Sequence, residues 1–164
     1  MNIKSLALSA AVSSALFLFG CGESPSDSPA HAHDHPHDHG HEHVAPHGGT
    51  AVVIGDEAYH VEFVHDPSEG LLDAFVLDGH MEDFIRIKAD SFTVQATLGE
   101  KAEELKFLAK ASAGTGETVG DTSQFTATAE WLKTATNFDA VISLLDVNGT
   151  SFTNVNFNFP DGNE

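Results

Sequence analysis

Four stretches of this chain alternate apolar and polar residues with a period of two. Phe92, Val94, Ala96 and Leu98 alternate with Ser91, Thr93, Gln95 and Thr97. Phe125, Ala127 and Ala129 alternate with Gln124, Thr126 and Thr128. Phe138, Ala140, Ile142 and Leu144 repeat the pattern, as do Thr153, Val155, Phe157 and Phe159. Successive side chains of a strand point to opposite faces, so each run reads as a strand with one face in a core. Shorter candidates cover residues 50–54, 57–64, 71–77, 84–88 and 105–109. Turn chemistry separates them at Gly55-Asp56, Asp66-Pro67, Asp78-Gly79 and Asn148-Gly149. Residues 100–108 are rich in helix formers, and a short helix is the alternative there. Strands in this number and spacing predict an all-β fold, a single antiparallel β-sandwich of the immunoglobulin-like kind, over residues 47–164. A domain of that size buries roughly two-thirds of its unfolded surface and needs neither disulfide nor metal to fold.

The first 46 residues are built differently. Lys4 precedes a run of apolar and small residues from Leu6 to Phe19, so residues 1–20 read as a secretory signal. The run is short for a membrane span. It ends in Leu18-Phe19-Gly20-Cys21, which resembles the lipobox of bacterial lipoproteins. That resemblance implies that Cys21 is acylated, becomes the mature N-terminus and anchors the chain to a membrane. Gly22 follows the cysteine where an inner-membrane retention residue would be acidic, which points to the outer membrane by the same analogy. Residues 21–46 then form a tether, opening on Ser/Pro-rich residues 22–30.

Within the tether His31, His33, His35, His37, His39, His41 and His43 fall on every second position. Asp34, Asp38 and Glu42 stand between them, and Pro36 and Gly40 oppose a regular strand. No residue there is apolar enough to build a core, so the segment is expected to stay mobile. Imidazole is the commonest protein ligand for transition metals. The run therefore points to divalent Zn, Cu, Ni or Co, with no preference among them.

Charge sharpens this picture. The chain carries 25 acidic against 7 basic residues, a net charge of −18. Such a balance attracts cations and disfavours nucleic acid. The only cysteine is the one in the lipobox, which excludes an internal disulfide and a thiolate zinc cluster. No nucleophile elbow or other catalytic motif is present, and an enzyme is not expected. Gly114-Thr-Gly116-Glu-Thr-Val-Gly120 resembles a phosphate loop only loosely and reads as a flexible loop. Asn148-Gly149-Thr150 fits a glycosylation triplet, but a hairpin turn explains it better.

Four histidines lie beyond the tether: His47, His60, His65 and His80. If Gly55-Asp56 is a two-residue turn, Ile54 faces Glu57 and Ala51 faces His60. His47 then falls near His65 at the open end of the hairpin, where the two are expected to share an ion. His60 and Glu62 have the same parity and would lie roughly 7 Å apart on one face, within chelating range. His80 is expected at the other end, beside the 55–56 turn.

Residues 46–159 resemble a module of bacterial heavy-metal efflux. The similarity rests on His47-Gly48-Gly49, Glu62 in the following hairpin, the Asp78-Gly79 turn and the closing pattern Phe125, Trp131-Leu132, Phe138 and Phe157. Similar modules form the N-terminal domain of the adaptor subunits of cobalt–zinc–cadmium efflux pumps, often behind a histidine-rich leader. The resemblance implies a lipid-anchored, periplasm-facing envelope protein that binds or buffers divalent metal and works with efflux components. Residues up to Glu164 leave no room for an adaptor's helical hairpin and lipoyl-type domains, so metal binding rather than pump assembly is what it implies. The alternative is a non-catalytic module that binds a protein partner in the envelope, with the histidine run as spacer.

Overall fold

The computed structural model describes residues 44–163. The signal segment, Cys21 and the seven histidines of the tether lie outside the described residues. Eight strands follow one another: β1 (Thr50–Ile54), β2 (Tyr59–Asp66), β3 (Leu71–Asp78), β4 (Ser91–Leu98), β5 (Lys101–Ala109), β6 (Gln124–Thr128), β7 (Phe138–Val147) and β8 (Thr150–Phe159). Among the described residues helical geometry is confined to two short 3₁₀ turns, Ala113–Thr115 and Glu130–Lys133. None forms a helix long and apolar enough to cross a membrane.

All pairings are antiparallel and run in the order β1-β2-β3-β6-β5-β4-β7-β8. The fold is thus all-β, one sheet that nearly closes on itself. Strands β4, β5 and β6 are consecutive neighbours. The long connection into β4 brings β3 beside β6, and the one out of β6 brings β7 beside β4, each a Greek-key path. β5 follows β4 over its full length but meets β6 only at Leu108 and Ala109. The sheet therefore bends there, and its two halves face each other. Phe63 of β2 stacks on Phe157 of β8 at 4.9 Å and meets Phe107 of β5 edge-on at 5.5 Å. At the remaining seam a side chain stands in for a ladder: Val53 N–H donates to Asn163 Oδ1 (2.7 Å), and Asn163 Nδ2 donates back to the Val53 carbonyl (3.1 Å).

Three local readings change. Residues 101–109 form a strand and no helix, because pairing with β4 along eight positions and burial of Leu105 and Phe107 outweigh a weak local preference. Residues 84–88 form no strand and touch the sheet through single bridges, Leu77 with Phe84 and Ile87 with Thr122. In β7 the alternation changes phase: Leu144 is exposed while Leu145 and Val147 are buried. The change falls where Ser143 and Asn154 drop out of the ladder and Asn154 takes a φ of 55°.

Candidate functional site

The β1–β2 hairpin places the site. Its loop is Gly55–Ala58, four residues closed by Ala58 N–H on the Gly55 carbonyl (3.0 Å), so Ile54 pairs with Tyr59 instead of Glu57. The register moves by two residues. Each side chain keeps its face, but Ala51 now stands opposite Glu62 where the shorter turn would have put His60. Val61 and Phe63 point into the core, so Glu62 points to the outer face, between Ala51 and Phe75.

Glu62 is nevertheless fully buried. A carboxylate without solvent needs hydrogen-bond donors, and the residues just before β1 supply them. Residues 45–48 make a turn, Gly48 N–H donating to the Ala45 carbonyl at 3.0 Å, with Gly48 at a φ of 68° that glycine adopts freely. The turn folds the chain back over β2. Glu62 Oε1 accepts the backbone N–H of His47 (2.8 Å) and of Gly49 (2.9 Å), and Oε2 lies 2.8 Å from His47 Nδ1. Gly49 rests on β2 so closely that a Cβ there would collide with the Phe63 carbonyl oxygen and stand 2.9 Å from Val64 Cγ2. The His-Gly-Gly sequence thus has a local physical reason: one residue donates twice, one turns, and one lies flat.

The His47 ring stacks on Phe75, 4.0 Å between centroids and 19° between planes, and Phe84 stands 5.8 Å away at a tilt. Its side chain remains 39% exposed. Beside an ionised carboxylate a neutral imidazole would donate through Nδ1, which leaves its lone pair on Nε2. A histidine with one nitrogen on a carboxylate and the other open is arranged as metal-binding histidines usually are.

The other candidates are placed as follows. His65 has the parity of Val61 and Phe63. Its Nε2 lies 2.8 Å from the Leu132 carbonyl, and its ring meets Phe159 edge-on at 5.5 Å. His47 and His65 both border a surface depression with Gly49 and Pro160. Their rings nonetheless turn to opposite faces of the sheet, so the expected pair is not brought together. His60 does share the face of Glu62. It is fully buried, with Nδ1 3.3 Å from the Asp78 carbonyl, and Glu62 is committed to residues 47–49. His80 is exposed in the turn after β3. That turn does lie beside the first hairpin loop, since a Cβ on Gly79 would strike the Glu57 carbonyl. Among the described residues no three His, Cys, Asp or Glu side chains converge to hold a metal ion by themselves.

A second, partly buried carboxylate carries no signal in the sequence. Glu117 accepts Ser123 N–H (3.1 Å), Ser123 Oγ–H (2.8 Å) and Ser112 N–H (3.1 Å). Burial pushes its carboxyl up, but those donors outweigh burial and hold it below the ordinary carboxylate value. Arg86 reaches across to the Thr115 carbonyl and to Asp121 (3.4 Å). The glycine-rich loop is therefore tied down at both ends. It walls a cavity of about 350 Å³ that Phe75, Phe84 and Gln124 also line. At the β3 turn burial likewise raises Asp78, while the Asp83 and Glu82 N–H groups and the nearby His80 bring it below its usual value.

Searches against protein families, curated proteins and solved structures found no significant match to this chain.

Proposed function

We propose that this chain is a lipid-anchored envelope protein that binds or buffers divalent transition metal, with the tether histidines as capacity and His47 as one fixed donor. The observation that carries the reading is the His47 ring, oriented by a buried carboxylate and left half exposed, four residues after the last histidine of the run. A chelate that must order its own backbone to form binds more weakly for it. A ring already held by Glu62 and Phe75 loses less freedom on binding. Imidazole donors suit Zn, Cu, Ni or Co and leave Mg and Ca to oxygen-rich sites.

Cys21 acylation and a link to metal-efflux components complete the proposal, supported by the lipobox-like sequence and the adaptor-like motifs. The immunoglobulin-like aspect of the fold is supported by two facing half-sheets with Greek-key paths, not by strand order, since β2 and β3 pair directly.

Calorimetry with Zn, Cu, Ni and Co tests the central claim. Protein lacking residues 31–43 should lose most of its binding capacity and keep at most one ion. His47→Ala should remove the tightest event and leave the weaker ones. Binding should fade as pH drops below about 6.5, where protons compete for imidazole nitrogens. Equal heats with and without residues 31–43 would refute the reading. Mass spectrometry of the membrane fraction, showing a mature chain that begins at lipid-bearing Cys21, checks the anchor.

A further inference from the structure

We propose that Glu62 is a positioning residue: it holds His47 as the Nδ1–H tautomer and thereby makes Nε2 the metal-binding atom. The inference deepens the metal reading above and rests on it. The two oxygens of Glu62 have separate tasks. Oε1 takes both backbone N–H groups, at 2.8 and 2.9 Å, and so fixes the carboxylate in place. Oε2 alone faces the imidazole, at 2.8 Å. An acceptor at that position forces the ring proton onto Nδ1. Phe75, stacked at 4.0 Å, fixes the ring plane, and Nε2 hydrogen-bonds to none of the described residues.

The consequence is specific to one change. In Glu62→Gln the amide oxygen can keep both backbone bonds, so its NH₂ must stand where Oε2 stood. An NH₂ group donates, so Nδ1 must accept and the proton moves to Nε2. The variant keeps the shape of the site and turns its lone pair inward, away from any metal. Loss of an outer partner of this kind typically weakens metal binding about 10–100-fold.

The tautomer is read directly from two-bond nitrogen–proton correlations of the imidazoles in the metal-free full chain near neutral pH. The parent should show His47 protonated on Nδ1 alone, and Glu62→Gln should show it protonated on Nε2. Substoichiometric zinc should then move the His47 Nε2 resonance in the parent, and Glu62→Gln should need at least tenfold more zinc for the same shift. Protonation of Nε2 in the parent overturns the proposal without recourse to any variant. Equal zinc response in parent and variant also overturns it, while metal binding itself stands. If zinc moves no histidine in either protein, the metal reading fails whatever the tautomer shows.

Discussion

Glu62 and Glu117 use the same device for different ends. Each is a carboxylate, Glu62 fully buried and Glu117 partly, that gathers three donors. Glu117 draws its donors from residues five and six positions away, so it closes its own loop. Glu62 reaches back 13 and 15 residues and fastens the stretch that leads into the sheet. Glu117 accepts hydrogen bonds from groups whose work ends in the bond, two backbone amides and a hydroxyl, with the Arg86 guanidinium 3.9 Å away. Glu62 receives an imidazole, which still has a second nitrogen to offer. What separates an anchor from a candidate ligand support is thus the chemistry of the donor it holds, since each acceptor gathers three donors.

The comparison breaks most sharply on removing each acceptor. Glu62→Ala leaves two part-buried amides without their acceptor, while water reaches the exposed ring, and at about 1–3 kcal/mol for each stranded amide a loss of about 2–6 kcal/mol is expected. Glu117→Ala should cost less, about 1–2 kcal/mol, because Glu117 is only partly buried and Ser112 is exposed, so water can replace the acceptor. Urea denaturation of the two variants gives both values. Equal losses would mean that the segment before β1 is no better anchored than the loop.

Gly49→Ala attacks the same anchor from the other side. The added methyl must push the chain off Phe63 and Val64, and overpacking of this kind costs about 1–3 kcal/mol. If Glu62 supports His47 as argued, the displaced segment should also carry the ring off Phe75. The change should weaken the tightest zinc event in calorimetry while the total number of bound ions stays constant. A stability loss with unchanged zinc affinity would separate the anchor from the ligand.

His65→Ala is the control on the other face of β2. It removes the bond to the Leu132 carbonyl and the contact with Phe159, with an expected loss of about 1 kcal/mol. Its ring lies on the far face from Glu62, so zinc binding should not change. An altered first zinc event in this variant would restore the pairing of His47 with His65 that hairpin spacing alone suggests.

Much of the fold was legible because alternation reports faces and turns report ends. Phe92 to Leu98 and the Asn148-Gly149 hairpin sit where the pattern puts them. The Greek-key order was not legible, since local pattern does not say that β6 inserts between β3 and β5. At the site, parity placed His60 with Glu62 correctly. The loop runs longer than the pattern suggests because three successive residues, Gly55, Asp56 and Glu57, adopt positive φ, at 61°, 50° and 63°, one more than a two-residue type I′ turn uses. Moving the register by two made Glu62, and not His60, the partner of Ala51. The fold-back of residues 45–49 was hidden for another reason: its signals, Gly48 and Gly49, describe a turn without saying which strand it lands on. Glu117 left no trace at all, being one acid among 25 until its loop is folded.

The smallest expected effect concerns acid, and it isolates the loop anchor. Glu117 is held below the ordinary carboxylate value in the folded chain, burial being outweighed by the Ser123 and Ser112 donors. A depressed folded value means that the stabilisation is complete above the unfolded value, about 4.3, and drains away as pH falls through the folded one. Protonation then removes charge from three bonds and from the nearby Arg86, 3.9 Å away. Amides near Ser112 and Ser123 should therefore lose exchange protection below about pH 4.3 before the β-strands do. Glu117→Gln should abolish that early step at Ser123, where the single amide oxygen accepts at any pH, while the Ser112 amide, left facing the NH₂ group, should be poorly protected at every pH. The Val53 amide, bonded to Asn163 at the far seam, serves as the internal reference and should hold its protection through the same range. Simultaneous loss at Ser112, Ser123 and Val53 would show that acid opens the whole sheet, and that Glu117 anchors nothing separable from it.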